Sequence, residues 1–375
     1  MKDKIWLSSP HMCGREQEYI ERAFESNWIA PMGPNVKGFE TDLEAYLNKG
    51  SYVAALSSGT AAIHLALIML GIEPGDEVIC QSKTFVASVN PVLYLGATPV
   101  LVDSETKTWN MCPEILEKAI KDRIHQGKKP KAVIAINIYG MPYNVDAIHA
   151  VAQSYGIAVI EDSAEALGSK YHNAPCGTFG DFSILSFNGN KIITTSGGGA
   201  LVCRNKTDKE HAVFLATQAK DNGLDYNHSQ VGYNYRMSNI SAGIGRGQMH
   251  VLEERVEARR RVFEYYFDNL NAIPQLEFAL EPDGYYSNRW LTCVLTDAPT
   301  TKDNLLKKLN QHNIDARPSW KPMHLQDLYR AYPCYTNGVS DDLYARGICL
   351  PSGSNLTREQ QDTIINLITS YFKHA

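Results

Sequence analysis

The sequence predicts an α/β domain with a mainly parallel sheet, followed by a smaller α+β domain. Two observations lead to this prediction. Apolar runs of strand length alternate with segments of helical period over roughly 150 residues, and this alternation is typical of a parallel sheet covered by helices. The pattern then changes near residue 251, where a highly charged helical segment, EERVEARRR, begins. We interpret this charge run as a solvated helix face rather than a phosphate-binding surface.

The elements follow from local patterns in chain order. The run AAIHLALIML has a helical period, stops at Gly71, and is followed by the turn EPGDE and the strand VIC. The segment TFVASVNPVLYLG predicts a second helix in spite of Pro91, and ATPVLVD predicts a buried strand. The alternation continues through the segments KAVIAINIYG, DAIHAVAQSYG, IAVIED, SILSF and GALVC. After the change of pattern, the second domain ends in the amphipathic segment REQQDTIINLITSYF.

Composition argues against several classes of function. The 375 residues are 44% hydrophobic and 21% charged, which is typical of a soluble globular protein with one large and one smaller core. The net charge of −5 and the lack of a basic block argue against nucleic acid or an anionic membrane as the main partner. Because no apolar run has the length of a membrane span and the N-terminus has no signal core, we expect a cytoplasmic protein.

The cysteines are scattered singly, without C-x-x-C spacing. Such a distribution fits neither a disulfide framework nor a zinc site. We therefore expect reduced, mostly buried thiols and no metal centre. The positions are Cys13, Cys80, Cys112, Cys176, Cys203, Cys293, Cys334 and Cys349.

A polar cluster stands directly before the helix AAIHLALIML. Ser57, Ser58, Gly59 and Thr60 place hydroxyls and backbone N–H groups at the amino end of this helix. Ligands of parallel α/β sheets collect at the carboxyl ends of strands and the amino ends of helices, where N–H groups favour a phosphate. The alternative is an ordinary helix cap, which would explain one hydroxyl.

Two charged residues stand in unusual surroundings. Asp162 ends the apolar strand IAVIED, where a carboxylate is unfavourable without a cation or several donors, and as a metal ligand it would have only Glu161 and Glu165 nearby. Lys191 is the one charge in SFNGNKIITTSGGGAL. We expect Lys191 to be partly desolvated and away from carboxylates, because a carboxylate beside it would keep it an ammonium ion.

A phosphate-binding helix start, a buried carboxylate and an isolated lysine together match the needs of pyridoxal phosphate. This cofactor carries a phosphate, a pyridine ring and an aldehyde. A carboxylate against the ring nitrogen keeps that nitrogen protonated, which makes the ring an electron sink. The lysine binds the aldehyde covalently and, once an amino donor releases it, moves a proton as general base and acid.

Several motifs, taken in order, resemble those of the DegT family of nucleotide-sugar aminotransferases. They are SSGTAAIHLAL, TFVAS, VIEDSAEALGS, SFNGNK followed by SGGGALV, and GYNYRMSNI, and the resemblance runs from SSPHM at Ser8 to ICLPSG at Ile348. It implies the fold type I aspartate aminotransferase architecture with pyridoxal phosphate as cofactor. It also implies L-glutamate as amino donor, a nucleotide-linked keto sugar as acceptor, and a homodimer with shared active sites.

The same resemblance divides the chain into three regions. Residues 1–35 form an N-terminal segment that contributes to the active site. Residues 36–250 form the large cofactor-binding domain, and residues 251–375 form the small C-terminal domain. The boundary at residue 251 coincides with the change of pattern described above.

The resemblance assigns cofactor roles to individual positions. Lys191 resembles the lysine that binds the cofactor covalently, and Asp162 resembles the partner of the pyridine nitrogen. Gly59, Thr60 and Ser186 resemble the phosphate contacts. Where many relatives read G-E-G-G after the lysine, residues 196–199 lack the glutamate, which leaves these assignments unchanged.

Three further positions complete the cofactor set. Phe85 is similar to the ring that stacks on the pyridine, and its alternative is a core aromatic. Glu165 matches a position near the phenolic oxygen of the cofactor, where its own negative charge would compete with the charge of that oxygen. Asn234 resembles a residue that reaches the phosphate from the neighbouring subunit.

Two segments, SNWIAPMG and ARPSWKPMHL, resemble the stretches that flank the sugar nucleotide in the family. Cations in them suit a pyrophosphate, and tryptophans suit a base or sugar face. The alternatives are a surface loop with a packed tryptophan and, for His324, a structural histidine. The predicted substrate-binding residues are Asn27, Trp28, Ile29, Ala30, Arg317, Trp320, Lys321 and His324.

Within the family, the sequence looks closest to the C4 aminotransferases of the bacillosamine type. The features that suggest this are SFNGNK with Asn188, APMG, RPSWKPMH and ICLPSG. The implied acceptor is a UDP-linked 4-keto-6-deoxy-2-acetamido sugar used in surface glycans and glycoproteins. The alternatives are a C3 aminotransferase on another TDP- or UDP-linked keto sugar and a non-catalytic pyridoxal phosphate-binding regulator or dehydratase; the intact Lys191 argues against a dehydratase.

Overall fold

The structure is a computed structural model that describes residues 4–47 and 50–373. Its strands are β1 Tyr52–Leu56, β2 Glu77–Gln81, β3 Thr98–Val102, β4 Ala132–Ile136, β5 Ala158–Asp162, β6 Lys170–Tyr171, β7 Ala174–Pro175, β8 Phe182–Ser186, β9 Gly199–Cys203, β10 Leu276–Phe278, β11 Tyr285–Tyr286, β12 Thr292–Thr296, β13 Arg317–Pro318, β14 Cys334–Tyr335 and β15 Gly347–Leu350. Its α-helices are α1 Glu16–Glu25, α2 Pro34–Leu47, α3 Gly59–Met69, α4 Asn90–Tyr94, α5 Pro113–His125, α6 Val145–Ser154, α7 Lys206–Ala216, α8 Asn239–Met249, α9 Leu252–Leu270, α10 Pro299–Gln311, α11 Val339–Arg346 and α12 Arg358–Lys373.

A large sheet forms the centre of the molecule. Its eight strands lie in the order β1-β9-β8-β5-β4-β2-β3-β14. The pairs from β8 to β14 are parallel, whereas β9 runs antiparallel to both β1 and β8. Strands such as β4 are buried along their whole length, as expected for apolar runs covered on both faces. The predicted α/β fold with a mainly parallel sheet is confirmed.

A second, antiparallel sheet follows in the chain. Its four strands lie in the order β10-β12-β15-β13. Helices α9, α10 and α12 pack on it around a separate apolar core that includes Tyr266, Leu305 and Ile364. This part still contacts the first one closely, because β14 extends the large sheet and Trp290 lies in the main core. The predicted domain change at residue 251 falls between α8 and α9.

The single helix predicted for TFVASVNPVLYLG is wrong. The structure has a short 3-10 helix at Val86–Ser88 and then α4, with Pro91 in its first turn. Proline lacks the N–H that a helix interior needs, but the first turn does not need it. A new helix therefore begins at Asn90 with Pro91 in its first turn, and the backbone of Phe85 is extended.

The structure also bears on two other expectations. Among the described residues, no helix is long and apolar enough to cross a membrane. The eight cysteines are free thiols, of which Cys13 is half-buried and Cys334 is exposed, while the others are buried.

Gly199, the last residue of the glycine run, has a steric reason to be glycine. Gly199 begins β9 directly beneath the start of α3. A Cβ atom at this position would lie under 3.0 Å from the backbone nitrogen of Gly59 and the carbonyl carbon of Ser58. Both obstacles are backbone atoms, so neither can rotate away. Gly197, two residues earlier, has open space where a Cβ would stand.

We predict that Gly199→Ala lowers the free energy of unfolding by about 1–3 kcal/mol, because the added methyl pushes α3 away from β9. Gly197→Ala is the matched control, and its effect stays within about 0.5 kcal/mol. Denaturant unfolding of both variants measures the difference. Equal stability of the two variants would contradict the close contact.

Candidate active site

A cavity of about 350 Å³ opens at the carboxyl ends of the parallel strands. This is the edge at which ligands of open α/β sheets bind. Predicted residues from distant parts of the sequence meet there. The ones that line the cavity are Gly59, Thr60, Phe85, Asp162, Glu165, Ser186, Lys191 and Trp320.

The amino end of α3 forms one wall of this cavity. Ser58 is the N-cap of the helix, and its Oγ accepts a hydrogen bond from the N–H of Ala61 at 3.0 Å. The amides of Gly59 and Thr60 lie in the first turn, where the helix itself provides no carbonyl acceptor. The cap alternative is therefore correct for Ser58, while the next two residues remain free to face an anion.

Asp162 lies at the floor, 4% exposed, at the end of β5. Its Oδ2 accepts a hydrogen bond from Ser88 Oγ at 2.7 Å, and its Oδ1 accepts one from the N–H of Ala164 at 3.1 Å. Ser88 Oγ also lies 2.8 Å from Thr84 Oγ1. Burial raises the pKa of Asp162 above its ordinary value, although these donors and Lys191 oppose the shift. The carboxylate lines the cavity, where it can accept a further hydrogen bond from a donor bound there.

Lys191 has a carboxylate neighbour, which corrects the expectation that it would stand away from acidic groups. Its Nζ lies 3.5 Å from Glu165 Oε1 and 4.1 Å above the ring of Trp290. The expectation failed because β5 and β8 are parallel neighbours in the sheet. Glu165 follows β5 and Lys191 follows β8, so the two residues meet at the same edge. Lys191 is nevertheless largely buried, with 12% of its side chain exposed.

Glu165 is held by three donors. Its Oε2 accepts from the N–H of Tyr139 at 2.6 Å, and its Oε1 accepts from Trp320 Nε1 at 3.4 Å and faces Lys191. Burial raises the pKa of Glu165, and the charge of Lys191 partly offsets this effect. Tyr139 has a φ of 54°, a strained conformation for a residue with a side chain. Two hydrogen bonds hold Tyr139 in this conformation: its N–H donates to Glu165, and its hydroxyl oxygen accepts from the N–H of Trp320 at 2.7 Å.

Phe85 and Trp320 stand at the mouth of the cavity. Phe85 is 56% exposed, so the alternative that it is a core aromatic is wrong. Its ring lies 6.2 Å from that of Trp320, centroid to centroid. Trp320 also lines a neighbouring cavity of about 480 Å³ that contains the predicted cations Arg317 and Lys321.

Other predicted residues lie outside the main cavity. Asn234 is exposed. Residues 27–30 are mostly exposed, and Asn239 holds them to α8 by bonds to the carbonyls of Trp28 and Ala30. Both ring nitrogens of His324 have hydrogen-bond partners within the chain: Nδ1 lies 2.7 Å from Ser82 Oγ, and Nε2 lies 3.2 Å from Asp341 Oδ1. These contacts favour the alternative that His324 is a structural histidine.

Three residues that shape the site were not among the predicted ones: Ser88 and Trp290 line the cavity, and Tyr139 is buried and bonds to Glu165 and Trp320, which line it. Ser88 was hidden in the helix wrongly predicted for TFVASVNPVLYLG. Trp290 comes from the second part of the chain and no local pattern marks it. Tyr139 contributes a backbone N–H, which every residue type except proline supplies. Of the three, only Ser88 had a usable signal, because it stands in the TFVAS motif.

Comparisons with known proteins agree on one family. Residues 10–369 match the model of the DegT/DnrJ/EryC1/StrS aminotransferase family. The chain is 50% identical to EpsN of Bacillus subtilis (strain 168), which carries the name of a pyridoxal phosphate-dependent aminotransferase, over 99% of this chain and 97% of that protein. It is 36% identical to the GDP-perosamine synthase of Escherichia coli O157:H7, over 98% of each chain.

Solved structures give the same result. A DegT DnrJ EryC1 StrS aminotransferase from Brucella abortus superposes with a TM-score of 0.90 at 30% identity, over 96% of this chain and 95% of that one. The aminotransferase TlmJ from Streptoalloteichus hindustanus superposes with a TM-score of 0.91 at 26% identity, over 99% of each. The predicted fold type I architecture is thereby confirmed.

We predict that Asp162→Asn changes how stability depends on pH in the cofactor-free protein. The native state holds the proton of Asp162 more tightly than the unfolded state does, because burial raises this pKa above 3.8. The stability of the wild type therefore falls relative to that of Asp162→Asn as the pH rises from near 3.8 through the raised pKa. Urea unfolding from about pH 4 to about pH 7 measures the difference.

The control for this measurement is Asp225→Asn, at an exposed position. It should leave the pH dependence of unfolding unchanged. An Asp162→Asn profile parallel to that of the wild type would mean that the Asp162 carboxyl is not desolvated.

Proposed function

The chain belongs to the DegT/DnrJ/EryC1/StrS aminotransferase family, and on that premise we propose the reaction that it catalyses. With pyridoxal phosphate as cofactor, it transfers the amino group of L-glutamate to C4 of a UDP-linked 4-keto-6-deoxy-2-acetamido sugar. The observation that carries the chemistry is that Lys191, Asp162 and the amino end of α3 line one cavity.

The residues present fit this cofactor. The first-turn amides of Gly59 and Thr60, with Ser186 beside them, suit its phosphate. A Cβ at Gly59 would lie 3.3 Å from Ser186 Cβ, so glycine keeps the approach open at this corner. When bound, pyridoxal phosphate supplies an electron sink for the carbon that carries the amino group.

Each polar side chain then has a defined task. With pyridoxal phosphate bound, Asp162 would accept a hydrogen bond from its ring nitrogen and favour the protonated form of that nitrogen. Lys191 Nζ would hold the cofactor covalently and, as a free amine, would carry a proton to and from the substrate carbon. Glu165 Oε1 would orient the Nζ of Lys191, and Phe85 would cover the ring.

The adjoining cavity suits the nucleotide part of the acceptor. Arg317 and Lys321 line it with Ser8 and Tyr344, and two cations suit a diphosphate. Arg317 Nε donates a hydrogen bond to Asp315 Oδ1 at 2.7 Å. The two terminal nitrogens of Arg317 can therefore donate to an anion in the cavity. Because Trp320 lines both cavities, a sugar at the wall that they share would lie beside Lys191.

We also propose that the enzyme acts as a homodimer. Asn234 and residues 27–30 are largely exposed in the single chain, where they contribute nothing to its own cavity. A second subunit that covers these surfaces would receive Asn234 at its phosphate site and the N-terminal segment at its sugar site. The role of Asn234 and of Asn27, Trp28, Ile29 and Ala30 depends on this assembly.

A GDP-linked sugar is the second candidate acceptor. Relatives named GDP-perosamine synthase are 36%, 34% and 35% identical to this chain. Their name gives a GDP-linked product, which favours a guanine nucleotide on this second candidate.

We predict that Lys191→Ala lowers the transamination rate by more than about 10²-fold, because both the covalent link and the proton carrier are lost. Borohydride reduction of the wild-type holoenzyme should attach pyridoxal phosphate to the peptide that contains Lys191, and the variant should stay unlabelled there. The control, Lys206→Ala, changes an exposed lysine and leaves rate and labelling intact. Full turnover by Lys191→Ala would overturn the proposed function.

The acceptor is identified by supplying the holoenzyme and L-glutamate, in separate reactions, with a UDP-linked 4-keto-6-deoxy-2-acetamido sugar, a GDP-linked 4-keto-6-deoxy sugar or a nucleotide-linked 3-keto sugar. We expect the UDP-linked 2-acetamido sugar to give the higher kcat/KM and the product to carry its new amino group at C4 by NMR. A preference for the GDP-linked sugar, or amination at C3 of a 3-keto sugar, would reject the proposed acceptor but not the aminotransferase.

A further inference from the structure

A guanidinium without an acidic partner is buried beneath the turn that carries Lys191. Arg259 on α9 is 1% exposed, and it has no salt bridge to any described carboxylate. Burial lowers the pKa of Arg259 to about 9, and the nearby charge of Arg255 acts in the same direction. A buried unpaired charge is unfavourable for stability, so its contacts must explain why the position carries an arginine.

The guanidinium joins four segments of the chain. Its Nη1 donates to the carbonyl oxygens of Trp290 at 2.6 Å and Ser352 at 3.1 Å. Its Nη2 donates to Ser8 Oγ at 2.9 Å and to the carbonyl oxygen of Lys191 at 3.4 Å. These segments are the N-terminus, the turn between β8 and β9, and two parts of the second sheet region.

The same group of atoms also fixes the residue before Lys191. The carbonyl oxygen of Asn190 accepts from Ser8 Oγ at 2.7 Å and from Trp290 Nε1 at 2.7 Å. Arg259 thus bonds to the Lys191 carbonyl itself and to both residues that bond to Asn190, to Ser8 through its hydroxyl and to Trp290 through its backbone carbonyl. Lys191 Nζ returns over the ring of Trp290 at 4.1 Å, which closes the network.

We propose that Arg259 is a positioning residue for Lys191. Its planar fork holds the backbone of Lys191 and the backbone of Trp290 in one arrangement, so that the amine lies over the indole and faces the cavity. Only a side chain with several donors in a fixed plane can reach acceptors from four segments. The inference rests on the proposed role of Lys191.

A comparison with the neighbouring Arg255 distinguishes a positioning role of Arg259 from a general effect of a buried arginine on α9. Arg255 lies one helical turn earlier on α9, is 8% exposed, and like Arg259 has a buried Nε without a partner among the described residues. Its Nη2 donates to the carbonyl oxygens of His11 and Met12 at 3.3 and 3.4 Å. It therefore ties the N-terminal segment to α9 and, among the described residues, has no hydrogen bond to the Lys191 turn, which makes it the matched control.

The test compares Arg259→Met with Arg255→Met. An apolar side chain of similar length removes the fork without leaving a buried charge. In the holoenzyme we expect Arg259→Met to lower kcat for L-glutamate by about 10²-fold with little change in KM, since misplacement of a reacting group affects the chemical step. Arg255→Met should retain the wild-type kcat.

A second measurement does not depend on activity. Hydrogen exchange of the amides of residues 187–193 in the cofactor-free protein should become about tenfold faster in Arg259→Met, because the turn loses a charge-assisted bond. The exchange of these amides in Arg255→Met should match the wild type. Arg259→Lys keeps the charge but loses the fork, so it should follow Arg259→Met and replaces it if that variant does not fold.

The possible outcomes are distinct. Wild-type kcat and exchange in Arg259→Met would overturn the inference, and so would an equal loss in Arg255→Met, which would indicate a general effect on α9. An inactive wild type would reject the proposed function instead, and the exchange comparison would still decide whether Arg259 holds the turn.

Discussion

The active site depends on one close backbone contact, in which Gly199 at the start of β9 lies against the Ser58–Gly59 peptide at the start of α3. Gly199 also pairs with Ser186 at the end of β8. This contact therefore sets the helix terminus, with its unpaired amides, beside Ser186. The turn between the same two strands carries Lys191, so the helix terminus and the lysine are positioned by one hairpin. A displacement of β9 would move both.

Local sequence patterns predicted those parts of the structure that local physics determines. Strands β4 and β5 are apolar runs buried within the sheet, and a carboxylate that closes such a run, Asp162, was recognisable as a site residue for that reason. The start of a new helix with Pro91 in its first turn was also predictable, because proline favours that position. Applying that rule would have freed Phe85 and Ser88 from the predicted helix.

Contacts across the sheet were not predictable in this way. Glu165 and Lys191 meet because β5 and β8 are neighbours, and strand order is a property of the whole fold. Trp290 and Arg259 come from the part of the chain after residue 251, where no motif marks them. Trp290 contacts Lys191 with the face of its ring, and Arg259 donates hydrogen bonds to backbone carbonyls with its guanidinium. The prediction from isolation in the sequence was correct for the burial of Lys191 but wrong for its surroundings, since distance along the chain does not measure distance in space.

Trp320 forms a wall of two cavities at once, and its indole bonds to Glu165. A mutation at this position would alter acceptor recognition and the environment of Lys191 together, so selection for a new sugar would meet an immediate loss of rate there. Arg317 and Lys321 line only the outer of these two cavities. Diversification of substrate within this architecture is therefore expected to proceed at the outer residues while Trp320 stays constant, which makes the shared indole a constraint on evolution and on enzyme engineering.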